Sequence, residues 1–204
     1  MSGEKSVWIA LPKAYNGVRN NLRVYFDAYG GWKEICVSPY LHAATVLAIL
    51  TPGIWTRQGW WDIPLGVLPN VIGFTLGGYA ILIAFGDERF KTLLTTPSDE
   101  HPVSAFLAIN ATFVHFLLIQ IGALLLEITA KSRPFSYFEE MTEVGKWLGQ
   151  YVLLRRSIAY TSWFLGYVVF LYALTLAFAA TAAVFRVARW FELAKRLGKE
   201  DKEL

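Results

Sequence analysis

His115, Gln120 and Glu127 stand inside an apolar run, Val103 to Thr129, that is long enough to cross a bilayer. Polar groups at such depth are costly and need a partner or a water-filled space. At about 100° per residue, Ala108, Thr112, His115 and Gly122 share one helix face. Gln120 and Glu127 share a second face with Phe113, and Asn110 falls on a third. Polar groups spread around a helix in this way do not line one pore. His115 lies about 18 Å along the helix from Val103, at a rise of about 1.5 Å per residue, close to the bilayer middle. A histidine there has two uses. It can change charge near neutral pH, as a proton sensor or gate requires, or stay neutral and donate one interhelical hydrogen bond. The second is the expectation. His42 belongs to an earlier apolar run and is expected nearer the cytoplasmic end. Glu127 falls toward the outer boundary, where Arg57, Lys131 or Arg133 would neutralise it in a structural ion pair. An ion-coupled transporter would instead hold its carboxylate near the midplane.

Other chemistry lacks its residues. There is no GxxxxGKS or GxxxxGKT phosphate loop, no HExxH zinc motif and no GxSxG elbow. The single cysteine, Cys36, excludes an intramolecular disulfide framework and a Cys-rich metal site. His101 sits in an acidic loop with Asp87, Glu88, Asp99 and Glu100, which reads as a solvated connection. No catalytic residue, cofactor or metal is therefore expected, and the chain does not read as an enzyme. A net charge of +3 gives no nucleic-acid footprint.

These residues must be positioned by membrane helices. The chain has 204 residues, 55% of them hydrophobic and only 17% charged, where a soluble domain has about 25% charged residues. The sequence predicts an all-α polytopic membrane protein with four transmembrane helices plus two interfacial amphipathic helices. The spans are expected over 35–55, 63–86, 103–129 and 158–185. A cytoplasmic N-terminal segment, 1–34, holds the first amphipathic helix, in which Val18, Leu22, Phe26 and Tyr29 oppose Arg19, Asn20, Arg23 and Asp27. The loop 130–157 holds the second, with Phe138, Met141, Leu148 and Val152 against Glu139, Glu140, Glu143 and Lys146. Met1 to Asn21 lacks the apolar core and cleavage site of a signal peptide, so insertion is expected to begin at Ile35. Taken together, the segments before the first span, after the second and after the fourth carry 13 Lys and Arg against 6 on the opposite side, which puts both termini in the cytoplasm. Trp32, Trp55, Trp60, Trp61, Trp147, Trp163 and Trp190 fall near span ends, as interfacial anchors do.

Small residues mark where the helices approach closely. Gly73 and Gly77 form a GxxxG step in the second span, continued by Gly66, Ala80 and Ala84. Ala159, Gly166, Ala173 and Ala180 recur at seven-residue spacing in the fourth, with Ala177 alongside. These faces pack within the subunit or between subunits, and a homo-oligomer is expected because a four-helix protomer has little interior for a private pathway. The cytoplasmic tail, 186–204, carries Trp190, Leu193 and Leu197 at helical spacing with Phe191 beside them. That stripe would bind a cytosolic partner, or pack on the membrane or a neighbouring helix.

The stretch Leu65 to Phe90, LGVLPNVIGFTLGGYAILIAFGDERF, resembles spans of small bacterial inner-membrane proteins, some of which accompany a cytosolic partner in phage-defence operons. In size and four-span layout the chain is similar to the membrane subunits of two-gene Kiwa phage-defence systems. That resemblance implies a homo-oligomeric inner-membrane scaffold or sensor subunit that recruits a cytosolic partner. The same stretch also resembles the second span of bestrophin channels. There, however, Phe85-Gly86-Asp87-Glu88-Arg89 departs from the aromatic and arginine-rich pattern, and 204 residues leave no room for the long cytosolic helices. The alternative function is a small ion channel or pore-forming effector, with His115, Thr112 and the glycine face of the second span near its path.

Overall fold

The structure is a computed structural model that describes residues 3–84, 86, 88–96, 103–132, 142 and 151–203, with the backbone alone for 3–14, 89, 93 and 197–203. The helices among the described residues are, in order, α1 (Gly3–Tyr29), α2 (Gly31–Cys36), α3 (Pro39–Leu50), α4 (Pro52–Trp55), α5 (Asp62–Ala84), α6 (Glu88–Thr95), α7 (Ala105–Ser132) and α8 (Val152–Glu203). No strand occurs among the described residues. Three helices are long and apolar enough to cross a membrane: α5, α7 and α8 over Val152–Arg196. They match the expected second, third and fourth spans. The expected interfacial helix in loop 130–157 lies largely outside the described residues.

The apolar stretch 35–55 does not form one continuous helix. It is divided among α2, α3 and α4, and α3 has 12 residues, about 18 Å where a hydrocarbon core needs about 30 Å. The breaks fall at Ser38-Pro39 and Thr51-Pro52. A residue before proline is driven out of the helical region, and Ser38 is extended at φ −62°, ψ 120° while Thr51 sits at φ −119°, ψ 46°. Backbone groups freed at membrane depth must be satisfied by protein. The Trp55 indole N–H donates to the Ala48 carbonyl at 2.8 Å, and the Thr175 hydroxyl of α8 donates to the Tyr40 carbonyl at 3.1 Å.

α7 is the central element, packed against α1, α5, α6 and α8, while α3 lies along α8. One end of the bundle is tied by Lys131 on α7 to Asp62 on α5 at 2.9 Å, and by edge-on Trp55–Phe164 and Trp61–Trp163 pairs. At the other end Phe90 of α6 meets Phe191 of α8, ring centroids 5.2 Å apart. Trp60 and Trp61 are buried inside the protein rather than anchoring at its surface, because Tyr167 and Trp163 of α8 receive them.

The two small-residue stripes are used differently. In α8, Ala173 and Ala180 are buried in the core, Gly166 lies under the Trp60 ring and Ala159 is half-exposed. This stripe packs within the protomer. On α5, Gly73, Gly77 and Ala80 are exposed, and a Cβ built at either glycine would meet nothing within 4 Å. α1 is longer than its predicted amphipathic segment. Val18 and Leu22 stay exposed, Tyr25 and Tyr29 turn toward His115 of the bundle, and Phe26 packs on Trp32 of α2. The chain then reverses at Gly30, where φ is +103° and a Cβ would strike the Glu34 side chain at 2.3 Å, so glycine is required.

Candidate functional site

His115 is fully buried on α7 and bonded on both edges. Nδ1 meets the Tyr25 hydroxyl of α1 at 2.8 Å, and Nε2 meets the Tyr172 hydroxyl of α8 at 3.0 Å. The Tyr29 ring stacks on the imidazole, centroids 3.9 Å apart and 17° from parallel. A neutral imidazole has one donor and one acceptor nitrogen. One tyrosine therefore donates to it and the other accepts, and the ring is satisfied without a charge. A protonated ring would donate to both and turn both phenolic hydrogens away. The geometry favours the interhelical hydrogen-bonding role, with two bonds in place of the one expected. Burial raises the pKa of the Tyr25 phenol above its ordinary value of 10.0, with Tyr172 adding to it, and does the same at Tyr29. Both α1 hydroxyls therefore stay protonated near neutrality.

The other polar groups of α7 face different neighbours, which explains their scatter around the helix. Asn110 accepts from the Tyr79 hydroxyl of α5 at 2.8 Å, and Gln120 donates to the Thr75 hydroxyl of α5 at 3.0 Å. A central helix contacted from several sides has no single polar stripe. Glu127 departs from expectation. It is fully buried and neither carboxyl oxygen has a hydrogen-bond partner. Lys131, one turn further along the same helix, reaches outward to Asp62 instead. Glu127 turns inward to the groove at Gly166, where a Cβ would lie 3.6 Å from Oε1 and 3.2 Å from the Trp60 ring. The Trp60 indole nitrogen is also buried and unpartnered. Arg57 is exposed and Arg133 lies outside the described residues.

Thr112 donates to the Ala108 carbonyl of its own helix at 2.8 Å and lines a cavity of about 330 Å³ between α2, α7 and α8. The cavity wall includes Tyr29, Phe116 and Leu176 together with Glu34, Arg186 and Trp190. His42 is exposed and only bonds the Cys36 carbonyl, Nε2 to O 2.9 Å, so it stands apart from His115. In the tail, Trp190 and Phe191 are half-buried against the core that includes Phe90, while Leu193 is 52% exposed. The Leu197 side chain lies outside the described residues. Half of the expected partner-binding stripe is therefore occupied within the protomer.

Sequence reasoning did not find Tyr25, Tyr29 and Tyr172 as ligands of His115, nor Trp60 as the neighbour of Glu127. In the sequence Tyr29 falls on the apolar face of α1, and the available signal is the phenol itself, which buries a ring and still needs a hydroxyl partner. No protein-family model, no curated protein and no solved structure matches the chain.

Proposed function

We propose that this chain is a homo-oligomeric scaffold or sensor subunit of a bacterial inner membrane that presents a helical arm to a cytosolic protein partner. The observation that carries this reading is the continuity of α8. It runs unbroken from Val152 to Glu203, 52 residues or about 78 Å, far more than the hydrocarbon core requires. Its distal part is charged, with Arg189, Glu192, Lys195 and Arg196, and the Glu192–Arg196 pair braces one face. Leu193 is left exposed there. In this reading α3 and α4 form part of a fourth crossing, lying along α8 from Tyr40 beside Thr175 to Trp55 beside Phe164. The excess of Lys and Arg at the α8 end of the bundle sets that end in the cytoplasm. The exposed glycine face of α5 supports assembly between protomers, and the α1 clamp on His115 is the element through which a cytoplasmic event would reach the core. A role in antiviral defence follows the architectural resemblance to the Kiwa membrane subunits. Conduction through one protomer is disfavoured, because the polar groups of α7 are turned to separate neighbours.

The test places a photo-crosslinking residue at Leu193 or at Phe191 of the full chain in its host membrane. Crosslinks from Leu193 to a single soluble protein, with Phe191 crosslinking to α6 of its own chain, support the reading. Leu193 crosslinking only to lipid or to its own chain counts against it.

A further inference from the structure

We propose that the cavity between α2, α7 and α8 is a binding site for the headgroup end of a zwitterionic phospholipid. The cavity holds about 330 Å³, within the range of small-molecule sites rather than of packing defects. Its floor is hollow because α7 and α8 face each other with Ala105, Ala108, Ala179 and Ala183. Two opposite charges, Glu34 on α2 and Arg186 on α8, line the same concavity. Both are exposed, and neither forms an ion pair or hydrogen bond with another described side chain. Two unpaired, opposite charges over an apolar wall suit a ligand that carries both signs and an apolar body. An ammonium group would meet Glu34 and a phosphate Arg186, a charge-assisted contact that guanidinium makes well. Two further features identify the source as lipid. Two of the walls, α7 and α8, belong to helices long and apolar enough to cross a membrane, and Tyr40 and Trp190 line the same cavity as the headgroup-level aromatic residues of membrane proteins do. This site stands independently of the partner-recruitment reading, because it needs neither the distal arm nor an oligomer.

The experiment uses the full chain, delipidated in detergent and mixed with equal amounts of phosphatidylethanolamine and phosphatidylglycerol, with bound lipid read by native mass spectrometry. The wild type retains one phosphatidylethanolamine per protomer in roughly tenfold preference. Glu34→Gln, at an exposed position, removes the preference and leaves phosphatidylglycerol binding unchanged, whereas Arg186→Gln weakens both lipids. Ala108→Phe, which fills the hollow, eliminates retention while the thermal unfolding profile stays that of a folded protein. Equal retention of the two lipids by the wild type, or an undiminished preference in Glu34→Gln, overturns the proposal. Displacement of the lipid by glycerophosphoethanolamine would overturn its lipid source and assign a water-soluble zwitterion instead.

Discussion

Tyr25 and His115, 90 residues apart in the chain, meet at 2.8 Å and join the N-terminal helix to the centre of the bundle. With Tyr29 stacked on the same ring and Tyr172 bonded to its other nitrogen, one buried imidazole ties α1, α7 and α8 together.

Breaking that clamp should free α1 and leave the membrane helices in place. His115→Ala removes the partner that the Tyr25 and Tyr172 hydroxyls share, and losing one such hydrogen bond costs about 0.5–1.5 kcal/mol. Tyr25→Phe loses one bond and should have a smaller effect in the same direction. Spin labels at Asn21→Cys and Leu118→Cys, with Cys36→Ser to remove the native thiol, report the separation. The prediction is a narrow distance distribution in the wild type, broadened slightly by Tyr25→Phe and strongly by His115→Ala. An unchanged distribution in His115→Ala would show that α1 is held elsewhere.

The docked state should also depend on pH in one direction. Burial raises the Tyr25 and Tyr29 phenol pKa values, so the undocked helix loses its protons first as pH climbs past the ordinary 10.0. Above that value docking weakens, because only the released form ionises readily. The same spin-label distance, followed from neutral to strongly alkaline pH, should broaden only on the alkaline side. An unchanged distribution at strongly alkaline pH would contradict the prediction.

Much of this arrangement is legible in the residues, and the exceptions have physical causes. α5 and α7 follow from long, largely apolar runs, with Pro64 near the start of α5 where a missing N–H is tolerated. The division of 35–55 was announced by Pro39 and Pro52, but an average over twenty residues passes across two local backbone constraints. The seven-residue alanine and glycine spacing of α8 identifies a packing face. Whether that face turns inward depends on Trp60 and Glu127, which approach Gly166 only in the folded chain. The same holds for His115, whose partners come from sequence positions that periodicity cannot relate to it.

Glu127 gains no hydrogen bond where it sits, so a neutral residue of its shape should serve the fold as well or better. Glu127→Gln is expected to unfold at the same temperature as the wild type, or a few degrees higher in thermal melts in detergent, about 2–4 °C per kcal/mol for a chain of this size. A fall of several degrees would mean that the carboxylate has a partner, such as a bound cation.

The two small-residue faces should separate in mutagenesis. Gly73→Leu with Gly77→Leu meets nothing within the protomer, so it should disperse the oligomer without lowering protomer stability. Gly166→Leu must displace Trp60 and Glu127, an overpacking that costs about 1–3 kcal/mol, and should lower protomer stability. Size-exclusion chromatography with light scattering, beside thermal melts, distinguishes the two. An intact oligomer in the α5 double variant would move the interface to another face.

The most direct measurement is affinity purification of the N-terminally tagged chain from its host, beside a version lacking residues 192–204, with both eluates read by native mass spectrometry. The scaffold or sensor account predicts a homo-oligomer carrying a stoichiometric soluble protein in the full chain, and the same homo-oligomer without that protein in the shortened one. An equal amount of the soluble protein on both versions, or none on the full chain together with ion flux in liposomes, would contradict it.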